Sequence, residues 1–559
     1  MRSRRLVVPA AAIVAAVVGF LPATAQAADP SAPGVQRVTK PSDPKKAGAP
    51  SFRTFTSGAD KSVRTEGSAT ALAAGAATGN PDLKVALGAT NTGAHSLQLE
   101  ADITSAKTSL EVSVSWGDGS AVEKFTASGS GLLMPEHAYA EVGEYKIKVG
   151  VNDVANKVYV ENELTVVTTG SEFTPYEPTR LLDTREGFRA PKAKVAPYTS
   201  ARVKAGGYGT IPADVQAVVL NVTVTNTTSG GHITAYGTGG MRPNASNINF
   251  EPGQTVPNLV VVPVGEDGSV DLYNGGWESV DLIADITGYF RQSASNGYTP
   301  MAPVRFVDTR EGLGTVKGQV PGQTSFGTQI SGLRGVPQRA KAVALNVTVT
   351  GPKEAGHLIV HPSGGRIPLA SNVNFTAGQT VANSVIVPVG PDGRINIRNS
   401  SWAGADVVVD VVGHYSPDGL GAYVPLWPMR WLDTRNPEGT ISEIRGAIPG
   451  RGYLPVPFFS DDAETAYVLN TTVTNTAGGG FLSVAPDPNS AEQIKNGTAV
   501  TPARPGASTL NWTPGRTVAN LVQASAGLHG VVDFWNQGWE KADLVVDISG
   551  YYEEPVLKR

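Results

Sequence analysis

The sequence predicts an all-β chain of tandem β-sandwich domains, and three observations predict it. Turn-forming residues are abundant, with 64 Gly and 40 Pro in 559 residues, while charged residues hold at 17 % and the hydrophobic set at 40 %. That balance belongs to a turn-rich globular chain rather than a disordered or coiled-coil one. β-Branched runs are separated by Asp-Gly and Asn-Gly dipeptides, as in TVPNLVVVPVGEDGSVDLYNGGWESVDLIADITGYF from Thr255 to Phe290. That passage recurs as TVANSVIVPVGPDGRINIRNSSWAGADVVVDVVGHY from Thr380 and as TVANLVQASAGLHGVVDFWNQGWEKADLVVDISGYY from Thr517. A chain of this length is too long for one core and divides into several domains.

Residues 1–27 have a basic start, an apolar stretch and a small-residue site at Ala25-Gln26-Ala27, the layout of a secretory signal peptide. Ser3-Arg4-Arg5 also admits a twin-arginine route. The expected location is therefore secreted, extracellular or associated with a cell wall. There is no cysteine, so neither a disulfide framework nor thiol chemistry is available. After the leader no second apolar run of about 18 residues follows, and no membrane span is expected. The formal net charge of −4 gives no basic face for nucleic acid.

Residues 28–82 are rich in Pro, Ala, Gly, Ser and Thr and follow neither the helical nor the strand period. Such a composition buries too little apolar surface to offset ordering entropy, which predicts a disordered stem. Over 83–168 the pattern changes to short alternating strands, among them SLEVSVSW and HAYAEVGEYKIKVGVND. The turn Trp116-Gly117-Asp118-Gly119, the step His137-Ala138-Tyr139 and Gly143-Glu144-Tyr145 resemble, in order and spacing, the polycystic kidney disease (PKD) domain. The resemblance implies an immunoglobulin-like sandwich used as a spacer or interaction module in secreted proteins. Asp118 before Gly is read as a turn residue rather than a cation ligand.

Three β modules are expected at 173–293, 298–416 and 423–553. Their register is tight, because Asp183, Asp308 and Asp433 lie 125 residues apart. Each opens on a Pro-flanked Asp-Thr-Arg (PTRLLDTR, PVRFVDTR, PMRWLDTR), continues to Leu220-Asn221, Leu345-Asn346 or Leu469-Asn470, passes SNINF, SNVNF or STLNW, and ends on the passage quoted above. The third copy carries an insertion, placed in PDPNSAEQIKNGTAVTPARPG and read as a long polar loop. A period this long suits a whole sandwich rather than a solenoid repeat or a propeller blade. The modules resemble repeats of secreted proteins of high-GC Gram-positive bacteria, which implies export and a cell-surface setting. The two turn dipeptides of each closing passage predict a three-stranded meander through type I′ turns.

Two constellations carry candidate chemistry. Alternation places Asp281, Ile283, Asp285 and Thr287 on one strand face and Leu282, Ala284 and Ile286 on the other, so Asp285, Asp410 and Asp547 are carboxylates inside apolar strands. Asp183 and Arg185, Asp308 and Arg310, and Asp433 and Arg435 share faces of the opening strands. Paired carboxylates of this kind are what a glycan hydrolase uses. A structural Arg-carboxylate network is the reading adopted, since a buried carboxylate needs a cation and hydrogen bonds.

The second constellation is the tip between the last two strands: Asn274, Trp277 and Asp281, with Asn399, Trp402 and Asp406, and Asn536, Trp539 and Asp543. An aromatic face beside amide and carboxylate groups suits sugar recognition. The competing reading, a Trp folded back over the sandwich end, is the commoner use of such a ring. His232 and His357 match in position but the third module has Phe481 there, so no repeated metal ligand exists and no metal or other cofactor is expected. Asn221-Val-Thr, Asn346-Val-Thr and Asn470-Thr-Thr match a glycosylation sequon and are read as strand residues. These readings predict a non-enzymatic exported protein that binds cell-wall or environmental polysaccharide, with a structural spacer or adhesin contacting other surface proteins as the alternative.

Overall fold

The computed structural model describes residues 53–66 and 79–556, apart from 294, 460–462 and 528. The leader and most of the stem lie outside these residues. Within them the chain is almost wholly β, in antiparallel sheets. Among them no helix is long and apolar enough to cross a membrane.

The N-terminal unit is a sandwich of two five-stranded sheets closed over Leu97, Leu110, Trp116, Tyr139 and Val149. The stem reading is corrected at its centre. Thr54–Ser57 pairs with Lys84–Asn91, and Val63–Glu66 with Val158–Val167. Short edge strands need no core of their own, because they take backbone hydrogen bonds from a sheet that already exists. Phe55 packs against the sandwich core, and Ser57 Oγ donates to Asn162 Oδ1 at 2.8 Å.

Each of the three modules has eight strands in two sheets of four. In the first module these are Glu172–Asp183, Ser200–Lys204, Ala217–Thr225, Gly231–Gly237, Ile248–Phe250, Val256–Pro263, Ser269–Asn274 and Asp281–Arg291. One sheet orders them first, eighth, third, sixth, and the other second, seventh, fourth, fifth. This is jelly-roll topology, and the modules beginning at Gly297 and Ala422 repeat it strand for strand. The first-named sheet is called inner below and the second outer.

The meander expectation fails. The three closing strands exist at the predicted places, but Val256–Pro263 and Asp281–Arg291 belong to the inner sheet while Ser269–Asn274 belongs to the outer. The turn dipeptides therefore lie on crossovers between sheets. Gly268 takes a positive φ of 73° but Asp267 does not, so no type I′ turn forms. Burial explains the choice: Val256–Pro263 and Asp281–Arg291 are covered on both faces, which a meander with one face in water would not be. The third-module insertion holds one helical turn, Ala491–Asn496, with a Ser490/Gln493 capping box.

The inner sheets are covered because the modules close into a ring. Asn221 Nδ2 donates to Ser371 O of the second module, Asn346 Nδ2 to Ser508 O of the third, and Asn470 Nδ2 to Ser246 O of the first. The same contact taken in the order first to second, second to third and third to first defines a pseudo-threefold axis. A shared core lies on it, built from Phe173, Tyr298 and Tyr423, from Phe290, Tyr415 and Tyr552, and from small and aliphatic residues of the neighbouring strands. The symmetry is broken with its polar groups satisfied. Gln523, where the other modules have Val261 and Ile386, donates to the Tyr415 and Tyr552 hydroxyls at 2.6 and 2.8 Å.

The N-terminal sandwich is docked at one end of this ring. Ala94 N donates to Glu553 Oε1 at 3.0 Å, Gln292 Nε2 to Thr168 O at 2.9 Å, and Ser171 bridges Tyr423. Ala94 and Val142 pack into the core of the third module.

Candidate functional site

Each last strand runs from a tip loop to the end that meets the N-terminal sandwich, from Asp281 to Arg291 and from Asp543 to Glu553. The tips therefore stand at the far end from that sandwich. Equivalent points of a threefold ring lie in one plane, so the tips form a triangle.

The tip triads divide into loop-shaping and exposed members. Asn274 is fully buried. Its Nδ2 donates to Val195 O and Glu278 O at 3.1 and 2.9 Å, and its Oδ1 accepts from Gly276 N. Asn399 bonds Val320 O and Ala403 O in the same way, and Asn536 bonds Ile448 O and Glu540 O. Asp281 accepts from Thr184 Oγ1 and Asn226 Nδ2 at 2.8 and 2.7 Å. Asp406 is held by Thr309 and Gln319, and Asp543 by Thr434 and Asn475. Sequence proximity had placed these amides and carboxylates beside the rings as ligand contacts. The amides instead satisfy backbone carbonyls where the chain changes sheets, and the carboxylates accept from Thr hydroxyls and side-chain amides of neighbouring loops.

The tryptophans do the reverse. Trp277, Trp402 and Trp539 are 72, 82 and 81 % exposed, so none folds back over the sandwich end. Each has a neighbour that the sequence reading missed, at one matched turn position with positive φ: Tyr198 (57°), Gln323 (59°) and Arg451 (60°). Tyr198 meets Trp277 edge to face at 5.9 Å, and the Arg451 guanidinium lies 5.2 Å from the Trp539 ring. Gln323 is tied to Ser400 O and Arg398. The available signal was a Pro-containing turn at one matched place in all three copies, VAPYT, VPGQT and IPGRG, with a different residue at its fourth position in each.

The carboxylates of the inner sheets are closed by arginines. Arg180 Nε donates to Asp285 Oδ1 at 2.8 Å and its Nη1 to Asp183 Oδ2 at 2.8 Å. The same Nε contact is 2.7 Å for Arg305 with Asp410 and 2.5 Å for Arg430 with Asp547. Arg185, Arg310 and Arg435 each take the two oxygens of Asp183, Asp308 and Asp433 through Nε and Nη2. The bridging cation between the two carboxylates is thus Arg180, which face-sharing alone did not reveal. A β-bulge between Arg180 and Leu182 resets the alternation and brings Arg180 to the side of Asp183. Burial pushes the Asp285 carboxyl up against the pull of Arg180, while hydrogen bonds from Arg185 hold Asp183 below its ordinary range. Arg180 Nη2 also reaches Leu369 O of the next module at 3.0 Å, as Arg305 reaches Gly506 O and Arg430 reaches Asn244 O. The clamp therefore closes the ring as well as its own module.

In the N-terminal sandwich, His137 stacks on the buried Trp116 at 4.6 Å, and Tyr139 Oη donates to Trp116 O. Asp118 accepts from Ser120 N and lies 2.8 Å from His137 Nε2, so its carboxylate serves the turn. Among the described residues no group of three or more His, Cys, Asp and Glu is placed to hold a metal ion.

No protein-family model matches this chain, and no curated protein does. Among solved structures it is similar to the SusE-like protein BT2857 at 10 % identity, over 38 % of this chain and 99 % of that one, with a TM-score of 0.12. It is similar to the STIV MCP at 8 % identity, over 46 % and 96 %, with a TM-score of 0.13. At such scores neither likeness bears on function.

Proposed function

We propose that this is a non-enzymatic exported protein that binds a polymeric polysaccharide, of a cell wall or of the surroundings, through its three Trp tips. The observation that carries the reading is the exposure of Trp277, Trp402 and Trp539, at 72, 82 and 81 %, on loops fixed by buried Asn residues. A bare indole on a rigid corner offers the flat apolar surface that covers sugar C–H groups, and its neighbours Tyr198, Gln323 and Arg451 end in polar groups, so no contiguous apolar patch forms; the Gln323 amide is already spent on Ser400 O and Arg398. In this reading the N-terminal sandwich is a PKD-like spacer that carries the ring away from the stem, and the Arg-carboxylate clamps are structural.

One shallow stacking site is weak, but linked sites raise apparent affinity by about 10²–10⁴ when the ligand repeats and the spacing fits. Purified protein should be retained on insoluble cell-wall polysaccharide, and Trp277→Ala, Trp402→Ala and Trp539→Ala should reduce retention stepwise with unchanged circular dichroism. Full retention by the triple variant would remove the tips from consideration and leave the spacer or adhesin role. Hydrolysis of peptidoglycan or chitin abolished by Asp285→Asn would overturn the non-enzymatic assignment.

A further inference from the structure

Where the first and second modules meet, a cleft of about 310 Å³ opens beside the Arg180 clamp. Its volume lies within the range of small-ligand pockets. The first module contributes Arg185 and Thr223 to its wall, and the second contributes His357 and Asn374, which face each other across adjacent strands.

The hydrogen-bonding state of these groups gives the cleft a definite polarity. Arg185 spends Nε and Nη2 on Asp183, its Nη1 has no hydrogen-bond partner among the described residues, and 39 % of its side chain is exposed. Asn374 accepts from Ser371 Oγ through Oδ1, while its Nδ2 donates to nothing among the described residues. The half-buried His357 ring makes no hydrogen bond there, and burial lowers its pKa, which leaves a neutral imidazole with one N–H. The carboxylate in the wall, Asp285, is already bound by Arg180. Unused capacity in the cleft is therefore mostly donors, one of them cationic. A ligand that satisfies them must bring acceptors, and an oxyanion brings the strongest.

We propose that this cleft binds a sugar residue carrying a carboxylate or phosphate group, with Arg185 Nη1 as the charged anchor and His357 and Asn374 as neutral donors. The oxyanion preference comes from the cleft's own donors and the site is separate from the Trp tips, whereas the sugar carrier rests on the polysaccharide reading above. It is also asymmetric within the ring, since Phe481 stands in the third module where His357 stands in the second, and the second-to-third junction lacks the imidazole donor.

Calorimetric titration of the full chain with glucuronate, glucose 6-phosphate and glucose tests the assignment. At least one of the two acids should bind saturably, and whichever does names the oxyanion; glucose should bind at least roughly tenfold more weakly, and Arg185→Gln and His357→Phe should each weaken the bound acid roughly tenfold. His357→Phe installs the residue that the third module already accommodates, so it remains informative if Arg185→Gln fails to fold. The triple Trp→Ala variant should titrate like the unaltered protein, which separates failure at the cleft from failure at the tips. Absence of saturable binding by both acids, equal binding of glucose, or unchanged binding by His357→Phe would each overturn the proposal.

Discussion

The Arg180 clamp grips Asp285 on the last strand and the Trp277 tip is the loop that leads into that strand, yet the three modules treat them in opposite ways. At the clamp every module has the same residues, Arg180, Asp183 and Asp285 or their counterparts, joined through the same atoms at 2.5 to 3.2 Å. At the tip the tryptophan repeats but its neighbour is Tyr198, Gln323 or Arg451. A buried ion pair tolerates one geometry only, because any shift leaves a charge without compensation. An exposed ring imposes no such demand on its neighbour. Repetition of buried groups thus marks what the ring needs to close, and variation around the repeated, exposed rings marks surface that can take on separate chemistry.

The largest effect that would break this contrast is expected at the clamp. Arg180→Ala leaves the buried Asp285 and Asp183 short of a cation and should cost about 3–5 kcal/mol in denaturant unfolding. Arg185→Ala, which removes a side chain 39 % exposed, should cost about 1 kcal/mol or less. The reverse order would show that Arg185 rather than Arg180 neutralises the pair.

The second test concerns a departure of the third module. Asp533 matches Asp271, which pairs with Arg202 at 3.2 Å, and Asn396. Asp533, however, is fully buried beside the Asp487 carboxyl, with no cation paired to it among the described residues. Burial, and then the Asp487 carboxyl, push it up to about 8. The folded state therefore holds a proton that the unfolded chain releases near the ordinary carboxyl value of 3.8. Its contribution is intact below that value and is lost as pH rises toward and through about 8. Melting temperature should fall over that window, and Asp533→Asn should flatten the profile. A profile identical in the two proteins would show that Asp533 does not titrate there.

A smaller loss is expected on the axis. Gln523→Leu leaves the Tyr415 and Tyr552 hydroxyls only each other and should cost about 1–3 kcal/mol, read by thermal unfolding. The smallest effect belongs to the tips, where any single Trp→Ala should change stability by no more than about 0.5 kcal/mol. A larger loss there would return the rings to the core and erase the contrast with the clamp.

The repeats, the strands and the two faces of the last strand from Asp281 to Ile286 were legible because each depends on local spacing; a bulge at Thr287 reverses the faces beyond it, so that Tyr289 joins the module core and Phe290 the axis. Asp285 in an apolar strand calls for a cation, and Arg180 lies 2.8 Å from it. Its partner was misplaced because a bulge at Arg180 breaks the alternation on which face-sharing rests. The meander was misjudged for a related reason: Asp-Gly and Asn-Gly report that the chain turns, not which sheet it enters next. The cue was present in NLVVVPV and DLIADITGYF, whose consecutive apolar residues call for cover on both sides. Asn274 and Asp281 were named for the right loop and given the wrong direction, since sequence cannot tell an amide that caps a turn from one that meets a ligand.

A trimer of separate chains loses its ring on dilution, and one mutation changes all three of its corners. Here the connections after Arg291 and Ser416 make the ring unimolecular, so its assembly is independent of protein concentration. Each corner can also be altered alone. The chain thus has the geometry of a heterotrimer of fixed composition within one molecule, able to hold three different surface chemistries at constant spacing at any abundance.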